Sequence, residues 1–174
     1  MLFRETTTSE RNNYVYKFDE KYNSTLEERI KKTPKRNTNR GIWTGDRGKS
    51  WYIPTDESII DILHVFELNG ILYEEGIPDF SLCAKITVSI KNMSKIRREN
   101  FRQCDVKCAE EWSLKKYGGK SKWAPSDVRQ WRKENGYTWH ERNDMVTCDL
   151  VPTIINKYFG HLGGVSECKK GRKG

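Results

Sequence analysis

Three histidines occur in the 174 residues, His64, His140 and His161, and two of them fall in the last quarter of the chain. His140 is followed directly by Glu141, and Asp144, Asp149 and Asn156 come before His161. These side chains suit phosphodiester hydrolysis near neutral pH. That reaction needs a divalent ion to hold the phosphate and stabilise the leaving oxygen. It needs a base for water, and imidazole is the side chain whose ordinary pKa lies closest to neutrality. It also needs a cationic surface to grip a phosphate backbone. His140 and Glu141, with Asn156 and His161, can supply the first two. The competing reading is that His140 simply packs beside Trp139 with a satisfied ring. On spacing alone, both readings stand.

The elements that must position these residues follow from periodicity and punctuation. Tyr137–Glu141 reads as a strand, Arg142-Asn143-Asp144 as a turn and Val146–Val151 as a second strand. Pro152 opens a helix through about Phe159, closed by Gly160. Asn156 and His161 are five apart, so on one continuous helix they would point about 140° apart. Both reach one ion only if the helix ends between them; Gly160 is the expected stop, and Gly163-Gly164 would let the chain pass close to the site.

Upstream, Gly41–Pro54 reads as a structured loop in which glycines alternate with Trp43 and Trp51. A helix is expected over Asp56–Glu67, strands over Gly70–Tyr73 and Ala84–Ile90, and helices over 97–117 and from Pro125 to Asn135. Residues 1–39 read as a basic linker or arm, with Tyr14, Tyr16, Phe18 and Tyr22 leaving a strand or docked segment open; the compact domain is placed at 40–174. The tail Lys169-Lys170-Gly-Arg172-Lys173-Gly reads as a disordered basic arm. The expected class is α+β.

Charge is unevenly placed. Residues 1–40 carry ten Lys/Arg against six Asp/Glu, residues 41–90 three against eight, and residues 91–174 nineteen against ten, within a total of +8. The segment with the candidate site is thus the basic one, which favours a polyanionic partner through counterion release; a lysine surface kept for solubility is the alternative. Arg47 and Arg142 are the candidate substrate-binding cations. Arg47 either clamps a phosphate bidentately or stacks between Trp43 and Trp51. His64 reads as a surface or packing residue. The five cysteines are odd in number and contain no CxxC pair, so neither a disulfide framework nor a zinc ribbon is indicated, and a reducing compartment is expected. The first residues lack the apolar stretch of a signal peptide, and no apolar run is long enough for a membrane span.

Glu134-Asn-Gly-Tyr-Thr-Trp-His140-Glu141, Asp149-Leu-Val-Pro152 and His161-Leu-Gly-Gly164 resemble the C-terminal core of HNH/endonuclease VII nucleases. The likeness is to the WHH/GHE-like toxin domains of bacterial polymorphic toxins and colicin-like DNases. The Gly41–Pro54 segment and Pro78-Asp79-Phe80 also resemble that group. The resemblance implies a ββα-metal finger at about 137–164 binding one divalent ion (Mg²⁺, Mn²⁺ or Zn²⁺). His161, Asn156 and His140 would be the ligand set. It also implies His140 as general base with Glu141 or Asp149 assisting at the metal, or the converse with His140 as ligand.

The chain departs from the family pattern where Glu141 and Asn156 stand, since both positions often hold His. An amide oxygen at Asn156 suits Mg²⁺ or Mn²⁺ better than Zn²⁺; the alternative is that Asn156 only braces the loop between the strands. The implied partners are DNA, with RNA as the lesser expectation, and an acidic immunity protein. The implied setting is delivery by a larger toxin into the cytoplasm of a target cell. A non-catalytic nucleic-acid-binding module on a decayed finger is the reading from a different class.

Overall fold

The computed structural model describes residues 21–171. The expected arm features at Tyr14, Tyr16 and Phe18 and the end of the basic tail lie outside the described residues. Among those described, six helices and two small antiparallel sheets alternate, giving the expected α+β class.

Helix α1, Leu26–Lys32, lies inside the segment expected to be a linker. Thr25 and Glu28 form a reciprocal capping box at its start. Apolar periodicity misses this helix because its buried residue is an arginine. Arg29 is 1% exposed and donates to the carbonyls of Glu75 (2.9 Å) and Ser24 (2.6 Å). Gly41–Pro54 is a hairpin rather than a loop. Strands β1 (Gly41–Trp43) and β2 (Trp51–Pro54) pair antiparallel, and β3 (Ile71–Glu74) and β4 (Ile77–Pro78) complete a sheet ordered β1-β2-β3-β4. Helix α2, Glu57–Val65, is capped by Asp56 and buries Ile59 and Leu63.

The second sheet is ordered β5-β7-β6, from Thr87–Ser89, Thr147–Pro152 and Tyr137–Glu141. Against one face lie α3 (Arg97–Leu114) and α4 (Pro125–Asn135). Helix α5 (Thr153–Tyr158) follows β7 directly, and α6 (Gly164–Lys170) comes after residues 159–163, so Lys169 and Lys170, expected at the start of a disordered tail, are helical.

Register decides which side chains share a face. Trp139 pairs with Leu150, and both join the core packed with Cys104, Cys108, Trp112 and Val128 from α3 and α4. His140 pairs with Asp149 on the other face. There Val151 joins Tyr52, Leu63, Phe80 and Phe159 in a second core. The central sheet is therefore buried on both sides, and the odd–even alternation of β6 sends Trp139 one way and His140 the other.

A buried polar contact fixes β6 on the helices. Asp105 accepts from the indole Nε1 of Trp139 at 2.9 Å and from Arg132 Nε and Nη2, both at 2.9 Å. With its lone pairs so engaged, the carboxylate is satisfied at 5% exposure.

Candidate active site

The end of β6, the loop after α5 and the start of α6 enclose a cavity of about 110 Å³. Its walls include Arg97, His140, Glu141, Asn156, His161 and Gly163-Gly164. Of the expected site residues, His140, Glu141, Asn156 and His161 are brought together here. Arg47 and Arg142 do not line it.

The two imidazoles stand with ring centroids 4.8 Å apart and planes at 76°. Phe80 packs edge-on against both, at 4.8 Å from His140 and 5.3 Å from His161. It forms an apolar floor that holds the rings in place. His161 Nδ1 lies 2.7 Å from the carbonyl of Phe159. A carbonyl only accepts, so Nδ1 carries the proton and Nε2 keeps its lone pair. Phe159 turns to an extended conformation (φ −85°, ψ 91°) and ends α5. That break, one residue earlier than the expected stop at Gly160, carries His161 round to the face where Asn156 stands.

Gly160 has a different task, because a Cβ there would lie 2.6 Å from the Lys32 carbonyl of α1. Gly164 is required for close approach as well. An added Cβ would meet the Arg142 carbonyl at 2.4 Å and the Met93 sulfur at 2.7 Å. The chain thus runs flush along the end of β6, as the pair of glycines predicts.

His140 is 3% exposed, and among the described residues its Nε2 has no hydrogen-bond partner; nor has the buried Oδ1 of Asn156. The Asn156 amide approaches the His140 ring without completing a bond at either atom. Two orphaned polar atoms at one cavity wall cost free energy unless something bonds them there. Burial, then the nearby His161 and Arg142, push the His140 pKa well below the ordinary imidazole range, with Asn156 opposing weakly. Burial also lowers His161. Both rings are neutral at pH 7, the state in which imidazole nitrogen donates to a metal.

Glu141 pairs with Cys148 and so emerges toward α3. Asn100 Nδ2 donates to its Oε1 at 3.3 Å, and Arg97 Nε lies 3.4 Å from Oε2. Asn100 is itself fixed by two bonds to Ser94, at 2.9 Å each. Burial raises the Glu141 pKa, with Arg97 and Asn100 opposing. Sequence reasoning missed Phe80 as a floor, Asn100 and Arg97. Arg97-Arg98 in the first turn of a helix was a usable signal, since cations there oppose the helix dipole.

The remaining candidates are occupied elsewhere. Asp149, considered as an assisting group, accepts from Arg142 Nε and Nη2 (both 2.7 Å) and from Thr87 Oγ1 (2.7 Å). Two of the Arg142 guanidinium nitrogens are thereby committed to Asp149. Arg47 donates to Thr33 Oγ1 (3.0 Å) and to the Thr33 carbonyl (2.8 Å), closing the C-terminal end of α1. It neither stacks on a tryptophan nor stands free as a clamp. His64 is exposed on α2, as expected.

Among the described residues, no three His, Cys, Asp or Glu side chains are grouped as a metal site. The residues able to hold a cation are His140, His161 and Asn156. Two neutral nitrogens and one amide oxygen, with two of those atoms orphaned, fit a small divalent ion.

Fold and cavity define the class: a small α+β domain that gathers nitrogen and oxygen donors at one end of a β-hairpin. Residues 70–163 match the family described as the DNase/tRNase domain of colicin-like bacteriocin. The match covers more than half of the chain, which belongs to that family and is a nuclease toxin domain. No curated protein matches it. Among the described residues no helix is long and apolar enough to cross a membrane.

Proposed function

We propose that this chain is a metal-dependent endonuclease that hydrolyses DNA phosphodiesters at the cavity between His140 and His161. The observation that carries the reading is the orphaned pair, His140 Nε2 and Asn156 Oδ1, facing the neutral ring of His161. In this assignment His140, Asn156 and His161 hold the ion, and Glu141 is the base. The converse, with His140 as base, fits less well, because a ring whose pKa lies well below neutrality is a poor proton acceptor at pH 7.

A bound divalent cation would supply Lewis-acid stabilisation of charge on the phosphate and the leaving oxygen. The chain does the rest. Glu141, held by Asn100 and Arg97, takes the proton of the attacking water as its oxygen bonds phosphorus and the bond to the leaving sugar oxygen breaks. A raised carboxylate pKa makes it a stronger base than an exposed glutamate. Arg97 is 64% exposed at the rim, where its remaining guanidinium donors can meet a phosphate.

The order β6, β7, α5 supports the reading of this unit as an HNH-type ββα finger. Family membership supports delivery as the toxic part of a larger bacteriocin-like or polymorphic toxin into the cytoplasm of a target cell. It also supports neutralisation by an acidic immunity protein that complements the basic C-terminal half.

The test is incubation of purified protein with supercoiled plasmid in Mg²⁺, Mn²⁺ or Zn²⁺, with EDTA as control and tRNA in parallel. Nicking that EDTA stops supports the proposal. Cleavage of tRNA alone moves the substrate to RNA, and binding without cuts in every metal leaves a non-catalytic module.

A further inference from the structure

A second concavity adjoins the catalytic one. Between the C-terminal turns of α1 and α6 lies a groove of about 360 Å³, lined by Lys31, Lys32, Lys169, Lys170, Glu28 and Ser166, with Leu162 at its base. Ser166 also lines the catalytic cavity, so the two spaces share a wall. The Lys170–Glu28 ion pair and the bonds from Ser24 to Glu167 tie α6 to α1 beside this groove.

We propose that this groove is the track along which the phosphate backbone of duplex DNA leaves the catalytic cavity. The inference rests on the nuclease reading above and gives it a substrate path.

Size comes first. A cavity of about 110 Å³ holds about four water volumes, room for a phosphate group but not for the nucleotides on either side. The rest of the strand must lie outside, along a surface continuous with the cavity. Charge comes next. Lysines in the last turn of a helix are ordinarily explained by the dipole, and that accounts for each helix separately. It does not account for two such ends meeting over one groove at the wall of the site.

Lys31 is paired with Glu27 at 2.9 Å and Lys170 with Glu28 at 2.6 Å. Lys32 and Lys169 are exposed and have no ion-pair partner among the described residues. These two carry the spare charge of the groove. Arg97 provides a further, exposed cation in the wall of the catalytic cavity. A backbone lying across the site would thus meet positive charge both at the cavity wall and along the groove. Duplex DNA, with one negative charge per about 1.7 Å of axis, is a polyanion dense enough to be held along such a path.

The experiment measures affinity for a 30-base-pair duplex in EDTA across a salt series, beside plasmid cleavage in metal. Lys32→Glu/Lys169→Glu is compared with the native chain and with Lys107→Glu/Lys115→Glu, a charge-matched change on α3 and its C-cap. The groove variant is expected to bind about tenfold or more weakly, with a log–log salt slope shallower by about two, one unit per lost phosphate contact. The α3 variant should shift affinity less than about threefold. Lys32→Gln/Lys169→Gln should fall between the groove variant and the native chain, and unchanged melting temperatures confirm that all are folded. Equal losses from the groove and α3 variants, or a native slope in the groove variant, overturn the track. Normal groove-dependent binding with no plasmid cleavage in any metal would instead sink the nuclease reading and leave the track standing.

Discussion

The rings of His140 and His161 meet at 4.8 Å across the end of a hairpin, and Phe80 packs edge-on against both. Two imidazoles this close cannot both be protonated cheaply. Burial and mutual repulsion keep His140 neutral, and burial does the same for His161. A neutral imidazole keeps one ring nitrogen's lone pair free to donate.

His161→Ala removes a nitrogen donor and leaves the strands intact. A divalent ion at 100 times its Kd stabilises the folded chain by about 2.7 kcal/mol, which is roughly 5–10 °C for a domain of this size. His161→Ala should lose most of that metal-induced rise, and so should His140→Ala. Both should lose cleavage. Differential scanning fluorimetry with and without Mn²⁺ reads the first, plasmid nicking the second. If both variants cut normally, the site is elsewhere.

Glu141→Gln separates base from ligand. The amide keeps the shape and can still accept from Asn100, but it cannot take a proton. Cleavage should fall by roughly 10²–10⁴-fold while the metal-induced rise in melting temperature persists. A lost metal response in Glu141→Gln would make Glu141 a ligand and return His140 to the role of base.

pH acts on stability with a definite sign. The folded pKa values of His140 and His161 lie below the unfolded value near 6.5. Their contribution is fully present above that value and is lost as pH falls toward the folded pKa values, since the unfolded chain then binds more protons. Glu141 works the other way. Its folded pKa is raised, so protonation in acid relieves a penalty in the window just above 4.5. Metal-free melting temperature should therefore fall between pH 7 and 5. His140→Asn should flatten that slope, and an unchanged slope would contradict a buried neutral ring.

Glu167 anchors the segment that leads into α1. It is fully buried and accepts from the Ser24 amide (2.8 Å), the Ser24 hydroxyl (2.5 Å) and Asn143 Nδ2 (2.7 Å). Glu167→Ala strands three donors, at roughly 1–3 kcal/mol for each left unmet. A drop of at least about 5 °C and faster proteolysis around residues 21–40 are expected. Normal melting would mean that water replaces the carboxylate freely.

Gly164→Ala tests the close passage beside β6. Its Cβ would overlap the Arg142 carbonyl, so the chain must shift away from Glu141 and His161. Cleavage should drop at least about tenfold, because small displacements of positioned groups are costly, with a metal response weaker than in the native chain.

Local signals carried much of this protein. The strand at Tyr137–Glu141 is identical in sequence expectation and structure, and the helices beginning near Asp56, Arg97 and Pro125 fall within a few residues of where periodicity and capping place them. The gathering of His140, Glu141, Asn156 and His161 was legible as well, because all four sit within one short strand–strand–helix unit whose turns fix their separation.

What lay beyond the sequence depends on neighbours distant along the chain. Arg29 reads as surface charge until the Glu75 and Ser24 carbonyls surround it. Arg47 looks like a free clamp until it closes the end of α1. Phe80, Arg97 and Asn100 reach the site only when the β3–β4 sheet and α3 pack on opposite faces of β6. The order and chemistry of the residues determined which groups are available; tertiary packing decided which of their atoms are left unpartnered, since an atom whose hydrogen bonds are already made inside the protein is not free to bind another group.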